Sequence, residues 1–243
     1  MKLLKLLMLL ILLLIIGGIL LLGYLGFIPV LSSVMGSDKP RDLGIKYTQQ
    51  QYSDYITKAN EQISLISGNV SPENSITYSG KVDLKQSFTP EEISARLDYS
   101  KWEYMPATNT QLRINPDGSV EFSGEVLSDR INGFVAREGA GQYSAADVNK
   151  GLEYIKLLGK NFPVYVKFRA SITNNQLTEI AEKIEVGRFS IPLKTVNADS
   201  VISSVSQTIM GRVPGFYAKS VTFTNRKMNF EGTVPEKVTV ASN

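Results

Sequence analysis

Acid–base chemistry in this chain would have to come from carboxylates, because it contains neither histidine nor cysteine. Without histidine it lacks the usual general base near neutral pH, the Ser-His-Asp arrangement and the commonest metal ligand. Without cysteine it has no thiolate nucleophile, no disulfide framework and no lipid-modified cysteine. Two acidic pairs invite a catalytic reading, Glu91-Glu92 and Glu179/Glu182. The first follows Thr89-Pro90 and is explained by helix capping, the second by a solvated strand face. Asp38, Asp42, Asp117, Asp129 and Asp147 are scattered without metal-ligand spacing, so no metal site and no cofactor are expected. Asn115-Pro116-Asp117-Gly118 lacks the alternating acids and distant Glu of a calcium loop and reads as a turn. Gly139-Ala140-Gly141 has no lysine in P-loop position and follows no strand, so it is a loop and not a phosphate cradle. These residues point away from an enzyme.

Binding chemistry has better candidates. Trp102-Glu103-Tyr104-Met105-Pro106 is an aromatic cluster on an expected loop. It is either core or a lip touching lipid headgroups, where Trp and Tyr are favoured. Arg130, Arg137, Lys150 and Lys156 could meet phosphate, although a solvated charged face is the better explanation of them. Net charge is +3, of which Lys2 and Lys5 carry two, and no run of five like charges occurs. That is not the footprint of a nucleic-acid binder.

The element that must position everything else is the first. From Leu6 to Met35 there is no charge, and Leu6 to Leu22 is almost entirely Leu and Ile. A bilayer core of about 30 Å takes roughly 20 apolar residues as helix, so Leu6–Val34 is long enough to contact and span a membrane with some tilt. A cleaved signal peptide is the alternative. Its apolar region is usually only about 7–15 residues, and Val34-Met35-Gly36 is a poor cleavage site. Lys2 and Lys5 precede the run and Ser37–Asp42 is charge-balanced, which keeps the N-terminus cytoplasmic and puts the rest outside. The expected organisation is anchor (1–36), linker and helix (37–75), and exported α+β domain (76–243).

Beyond a linker over 37–47, Thr48 and Gln51 form a capping box for a helix carrying Tyr52, Ile56, Ala59 and Ile63, ending by Ser67-Gly68-Asn69. Alternation at Ile76, Tyr78, Val82 and Leu84 predicts strand. Thr89-Pro90-Glu91-Glu92 starts a short helix with Ile93 and Leu97 inward. A hairpin follows, with Leu112 and Ile114, a turn at 115–118, then Val120, Phe122, Gly124 and Val126. Residues 130–143 read as loop, and Ser144 caps a helix to Gly159 with Val148, Leu152, Ile155 and Leu158 inward. A long strand with Val164, Val166 and Phe168 on one face turns at Asn174-Asn175. Its return strand changes parity at Gly187, where a bulge is expected. Asn197 caps a helix with Val201, Val205 and Ile209. A hairpin with Val221, Phe223, Met228, Phe230, Gly232 and Val234 turns at Asn225-Arg226.

Two parts of this succession match. Thr89, Ile93, Leu97, Val120, Phe122, Gly124 and Val126 each recur 108 residues later as Asn197, Val201, Val205, Met228, Phe230, Gly232 and Val234. A fixed offset marks an internal repeat. It suggests two related strand-helix-hairpin halves, about 76–127 and 177–235.

Ile184-Glu185-Val186-Gly187-Arg188-Phe189-Ser190-Ile191-Pro192, the helix after it, the closing hairpin through Gly232 and the opening Phe88–Ile93 carry a resemblance across roughly 76–235. The chain resembles the YpmS-like bacterial envelope proteins and, more distantly, LmeA-like phospholipid-binding proteins of tubular lipid-binding (TULIP-like) fold. The resemblance implies an apolar groove between sheet and helices that holds acyl chains, with no catalytic residue. In this chain its lining would be Leu112, Ile114, Val120, Phe122, Val166, Phe168, Phe223, Met228 and Phe230, with Trp102 and Tyr104 at the lip. A strand of about ten residues spans roughly 30 Å and a nine-residue helix only about 14 Å, so short helices leave apolar sheet to cover.

The expectation is therefore an α+β protein. Its N-terminal transmembrane helix precedes long curved antiparallel strands and three or four short helices. It is single-pass in the cell membrane, with its domain extracytoplasmic, and binds or transfers phospholipid or another acyl-chain ligand at the envelope without catalysis. The alternative is an envelope scaffold module that docks another protein through an apolar sheet face.

Overall fold

The computed structural model describes residues 2–66, 68–139, 144, 153 and 161–242, with side chains of the first helix described from Leu12. That helix, α1 (Lys2–Leu25), has 24 residues. Among the described residues no helix is long and apolar enough to cross a membrane. Gly26 takes a φ of 98° and breaks the helix. The chain restarts as α2 (Pro29–Met35), with proline in its first turn and left-handed Gly36 closing it.

Thr48 caps α3 (Gln49–Ala59) through the expected capping box. The helix stops at Asn60, whose φ is 52°, rather than running to residue 67. The next residues form β1 (Gln62–Ile66). After β2 (Ile76–Ser79) and β3 (Val82–Phe88), Thr89 and Glu92 make a second capping box for α4 (Pro90–Asp98). The hairpin β4 (Ala107–Ile114) and β5 (Val120–Leu127) closes through Gly118 N–H donating to Asn115 O at 3.0 Å. Residues 131–138, expected as loop, are the helix α5 (Ile131–Glu138). The expected helix over 144–158, with Lys150 and Lys156, falls outside the described residues. The pair β6 (Asn161–Thr173) and β7 (Gln176–Val186) turns at Asn174 and Asn175, both left-handed.

Two expectations in the next stretch are corrected. Gly187 is not a bulge but part of a tight reversal: Val186 pairs with Phe189 in β8 (Phe189–Ser190), which explains the change of parity. The bulge sits earlier, at Glu182, because Lys167 pairs with Lys183 while Phe168 pairs with Ala181. Asn197 does not cap by its side chain. It is a left-handed joint between α6 (Leu193–Val196) and α7 (Ala198–Arg212). The last hairpin, β9 (Tyr217–Thr224) and β10 (Lys227–Val234), turns at left-handed Asn225 and Arg226 as expected, and β11 (Lys237–Ala241) follows.

The architecture is α+β. Six strands of the larger sheet run β3-β10-β9-β6-β5-β4, with β7 on the far edge of β6 and β8 on β7. Strand β6 takes β5 along Asn161–Phe168 and β9 at Ile172 and Thr173, so the two hairpins lie end to end on one edge of it. A second sheet, unanticipated, has the order β1-β11-β2, with β1 parallel to β11. The main core joins Leu84, Phe88, Ile93, Ile114, Val120, Val221 and Phe230 beneath α4 and α3. A smaller core gathers Ile76, Trp102, Val238 and Val240 on the second sheet.

Residues 38–47 are not a free linker. They lie on the polar face of the large sheet, where the Gln111 side-chain oxygen accepts from Leu43 N–H at 2.8 Å and Ile45 N–H at 3.2 Å. Tyr47 donates its hydroxyl to Thr110 O at 2.7 Å, and Leu43 is buried. Arg41 pairs with buried Glu185 at 2.6 Å and lies 4.9 Å from the Tyr165 ring centroid. The Tyr165 hydroxyl donates to Glu121 at 2.9 Å. Burial pushes the Tyr165 hydroxyl up to about 12, helped by the Glu121 carboxylate. Burial also acts on Glu121, but hydrogen bonds from Arg113, Asn115 and Tyr165 outweigh it and hold this carboxyl below its ordinary value.

Candidate functional site

The nine groove candidates fall on one face of the large sheet. Leu112, Phe122 and Val166 are cross-strand neighbours in one row, and Ile114, Val120 and Phe168 in the next. Phe223 lies opposite Met228, and Phe230 opposite Val221, on the second hairpin. Ile114, Val120 and Phe230 are closed into the core under α4, so they support the fold instead of opening to a ligand. Leu112, Phe168, Phe223 and Met228 are half-buried and pack against that core, and Phe122 and Val166 are half-buried beside them.

A partly open pocket of about 320 Å³ lies elsewhere, over the second sheet. None of the nine candidates lines it. Its floor is Ile63, Ile76, Tyr78, Val238 and Val240 from β1, β2 and β11. Leu97 of α4, Phe134 of α5 and Ile209 of α7 close the sides, with Trp102 and Met105 from the loop after α4. The volume is at the lower end of the roughly 300–1,000 Å³ range of small-molecule sites.

Trp102, given as core or lip, is core: it forms a wall of this pocket and is only 6% exposed. Its ring N–H donates to Ser75 Oγ at 2.9 Å, and it stacks obliquely on Phe134 at 5.7 Å. Tyr104 is half-buried beside it, 6.3 Å from the Trp102 ring, and its ring occupies the space over Gly133 that a side chain there would need.

The polar and charged lining residues are Arg96, Ser100, Lys101 and Glu138, with Tyr52 and Tyr78. Arg96 donates twice to Glu61, at 2.8 and 3.2 Å, so its charge is matched. Glu138 is 4% exposed, and its Oε2 has no hydrogen-bond partner among the described residues. The Arg137 guanidinium approaches only the other carboxylate oxygen, at 3.9 Å, and donates instead to Ile76 O at 2.9 Å. Burial pushes the Glu138 carboxyl above its ordinary value, against the pull of Arg137 and Arg212. A mostly apolar pocket of this kind suits a hydrophobic molecule. Among the described residues, no cluster of three or more His, Cys, Asp or Glu could hold a metal ion.

One acid of each pair weighed from the sequence has structural partners. Glu92 accepts from Thr89 N–H and pairs with Lys58 at 2.6 Å, and Glu182 pairs with Arg169 and Lys167. The cavity residues Phe134 and Glu138 were missed because 131–138 lacks a side-chain cap at its start. The floor was missed with β1 and β11. No protein-family model, curated protein or solved structure matches the chain.

Proposed function

We propose that α1 anchors this chain in a membrane and that the extracytoplasmic α+β domain binds an acyl-chain molecule without catalysis. The observation that carries the binding reading is the mostly apolar pocket of about 320 Å³ over the second sheet, walled by Trp102, Met105 and Phe134. An acyl chain would bury its hydrocarbon against Trp102, Phe134 and Val240. The anchor reading is supported by the uncharged stretch Leu6–Met35 and by the exposure of every leucine and isoleucine from Leu12 to Leu22. The sequence resemblance to YpmS-like and LmeA-like envelope proteins favours the same ligand class. It had pointed to the large-sheet face, and the chamber over the second sheet replaces that face as the proposed site.

Trp102 is the one tryptophan in the chain and lies in the wall of the chamber. Full-length protein in phosphatidylcholine nanodiscs is titrated with a bromine-terminated long-chain alcohol while Trp102 fluorescence is read. Saturable quenching, lost in Ile63→Phe, which fills the chamber, is the expected result. Quenching that never saturates, or that survives Ile63→Phe unchanged, overturns the assignment.

A further inference from the structure

We infer that α2, the α1–α2 turn and the β7–β8 tip form one apolar footing that seats the domain in the outer-leaflet interface of a lipid bilayer. The inference rests on the proposed anchoring by α1 and goes beyond it, because a single spanning helix would leave the domain free to tilt.

Three contacts make the footing one body. Helix α2 folds back on the end of α1, where Leu31 fills the space over Gly23. Ser32 and Ser37, each 1% exposed, both donate their hydroxyls to Gly23 O, at 2.8 and 3.0 Å. A helix ending near hydrocarbon must satisfy its last carbonyls internally, and these two serines serve one of them. The β7–β8 tip then abuts the same point. A side-chain carbon at Gly187 would sit 2.8 Å from Leu25 O, so only glycine permits the approach. Phe27 and Phe189 meet edge to face at 6.1 Å, and Arg188 donates to Gly36 O at 3.0 Å.

The outward surface of this body is apolar. Val34 is 81% exposed, Val30 75% and Phe189 40%, with Phe27 and Met35 exposed beside them. Among the described residues beyond this base, exposed large hydrophobic side chains are the separated Leu65, Ile180 and Tyr217. The patch continues into the exposed leucines and isoleucines of α1, and along the chain no charge follows before Asp38 and Lys39; the one charge in the β7–β8 tip, Arg188, is partly buried and turned onto Gly36 O. That continuity selects lipid over a protein partner. Aliphatic and phenyl groups beside a spanning segment, with the first charges just beyond, match the acyl–headgroup boundary.

The absence of native cysteine makes the test direct. Single cysteines replace Ile16, Val34, Phe189 or Arg226 in the full chain, and each carries an environment-sensitive fluorophore. The protein is reconstituted in phosphatidylcholine–phosphatidylglycerol vesicles that hold a spin-labelled lipid, quenching either near the headgroup or deep in the chains. The expected result is loss of fluorescence at Ile16→Cys with the deep label and at Val34→Cys and Phe189→Cys with the shallow label. Arg226→Cys, on the β9–β10 turn, should lose none. Quenching at Ile16→Cys with none at Val34→Cys or Phe189→Cys overturns the footing and leaves the anchor standing. Quenching at Val34→Cys alone overturns the part assigned to the β7–β8 tip. No quenching at Ile16→Cys overturns both. Because Val34 and Phe189 lie on separate elements, a folding defect in one variant leaves the other to decide.

Discussion

Gly124 and Gly232 stand 108 residues apart in matching phrases, yet alanine should have very different effects at the two positions. Each lies on the second strand of a hairpin, opposite a break in register. Strand β9 skips a residue between its pairings with Glu231 and Gly232, and β4 shifts between Thr108 and Gln111. At Gly232 a methyl group would overlap the Tyr217 carbonyl oxygen and crowd the Ala218 backbone at 3.1 Å. Backbone cannot rotate away as a side chain can, so β9 and β10 must part locally. Losing one or two ladder hydrogen bonds at about 1 kcal/mol each, with packing strain of about 1–3 kcal/mol, gives roughly 3 kcal/mol. At Gly124 the methyl meets Phe122 Cζ and Thr110 Cγ2 at 3.2 Å, both ends of side chains. There the cost is about 1 kcal/mol, and the roughly 0.4–1 kcal/mol gained because alanine restricts the unfolded chain applies at both positions and cancels in the comparison. Urea titration of both variants in detergent micelles, followed by Trp102 fluorescence, should separate them by about 2 kcal/mol or more. At roughly 2–4 °C per kcal/mol for a chain of this size, the melting midpoints should differ by several degrees. Variants that agree within about 0.5 kcal/mol, the scatter of an ordinary surface change, would refute the argument that backbone approach at the bulge is what demands glycine.

Two further outcomes are expected. Burial raises the folded-state pKa of Glu138, so its favourable share of stability is complete below the unfolded carboxylate value and is lost as pH rises through the folded value. Wild type should therefore lose stability relative to Glu138→Gln between pH about 4, where glutamate ordinarily ionises, and pH about 8. Urea midpoints at the two pH values check this, and a difference that grows the other way rejects it. Arg41→Ala leaves buried Glu185 with only Lys183, at 2.7 Å, and uncovers the Tyr165 ring. It should release the 38–47 segment at a cost of about 1 kcal/mol, seen as faster tryptic cleavage after Lys46, whereas an unchanged rate contradicts the docking described.

The parts of the fold legible in the sequence are those decided by neighbours in the chain. Thr48 with Gln51 and Thr89 with Glu92 satisfy orphan helix donors within one turn, so the pattern alone locates both starts. The left-handed pairs Asn174-Asn175 and Asn225-Arg226 mark their hairpins for the same reason. Strand β1 was hidden because Ile63 continues the helical spacing of Tyr52, Ile56 and Ala59, while the ending depends on Asn60 turning left-handed. What holds β1 as strand is β11, far along the chain, and no local signal reports that. Helix α5 has glycine in its first turn and no side-chain cap, so propensity argues against it, yet Gly133 is needed to admit Tyr104. The cavity draws its walls from at least six elements, and only Trp102 among them drew notice for its type. The large-sheet candidates were correctly assembled on one face, but alternation marks a buried core residue and a groove residue identically.

Strand β11 is the middle member of the second sheet, between β1 and β2, which precede it by most of the domain. Neither outer strand pairs with the other, so nothing close in sequence can nucleate this sheet. Closing loops of that length carries an entropic penalty before any contact repays it, and such topologies fold slowly. The large sheet, whose hairpins are local, is set to form first. During that interval β1 and β2 expose unpaired edges, the kind of surface that recruits strands from other chains. The second sheet is therefore where the refolding rate and the tendency to aggregate meet: weakening β11 should first lengthen the lifetime of an intermediate with open edges.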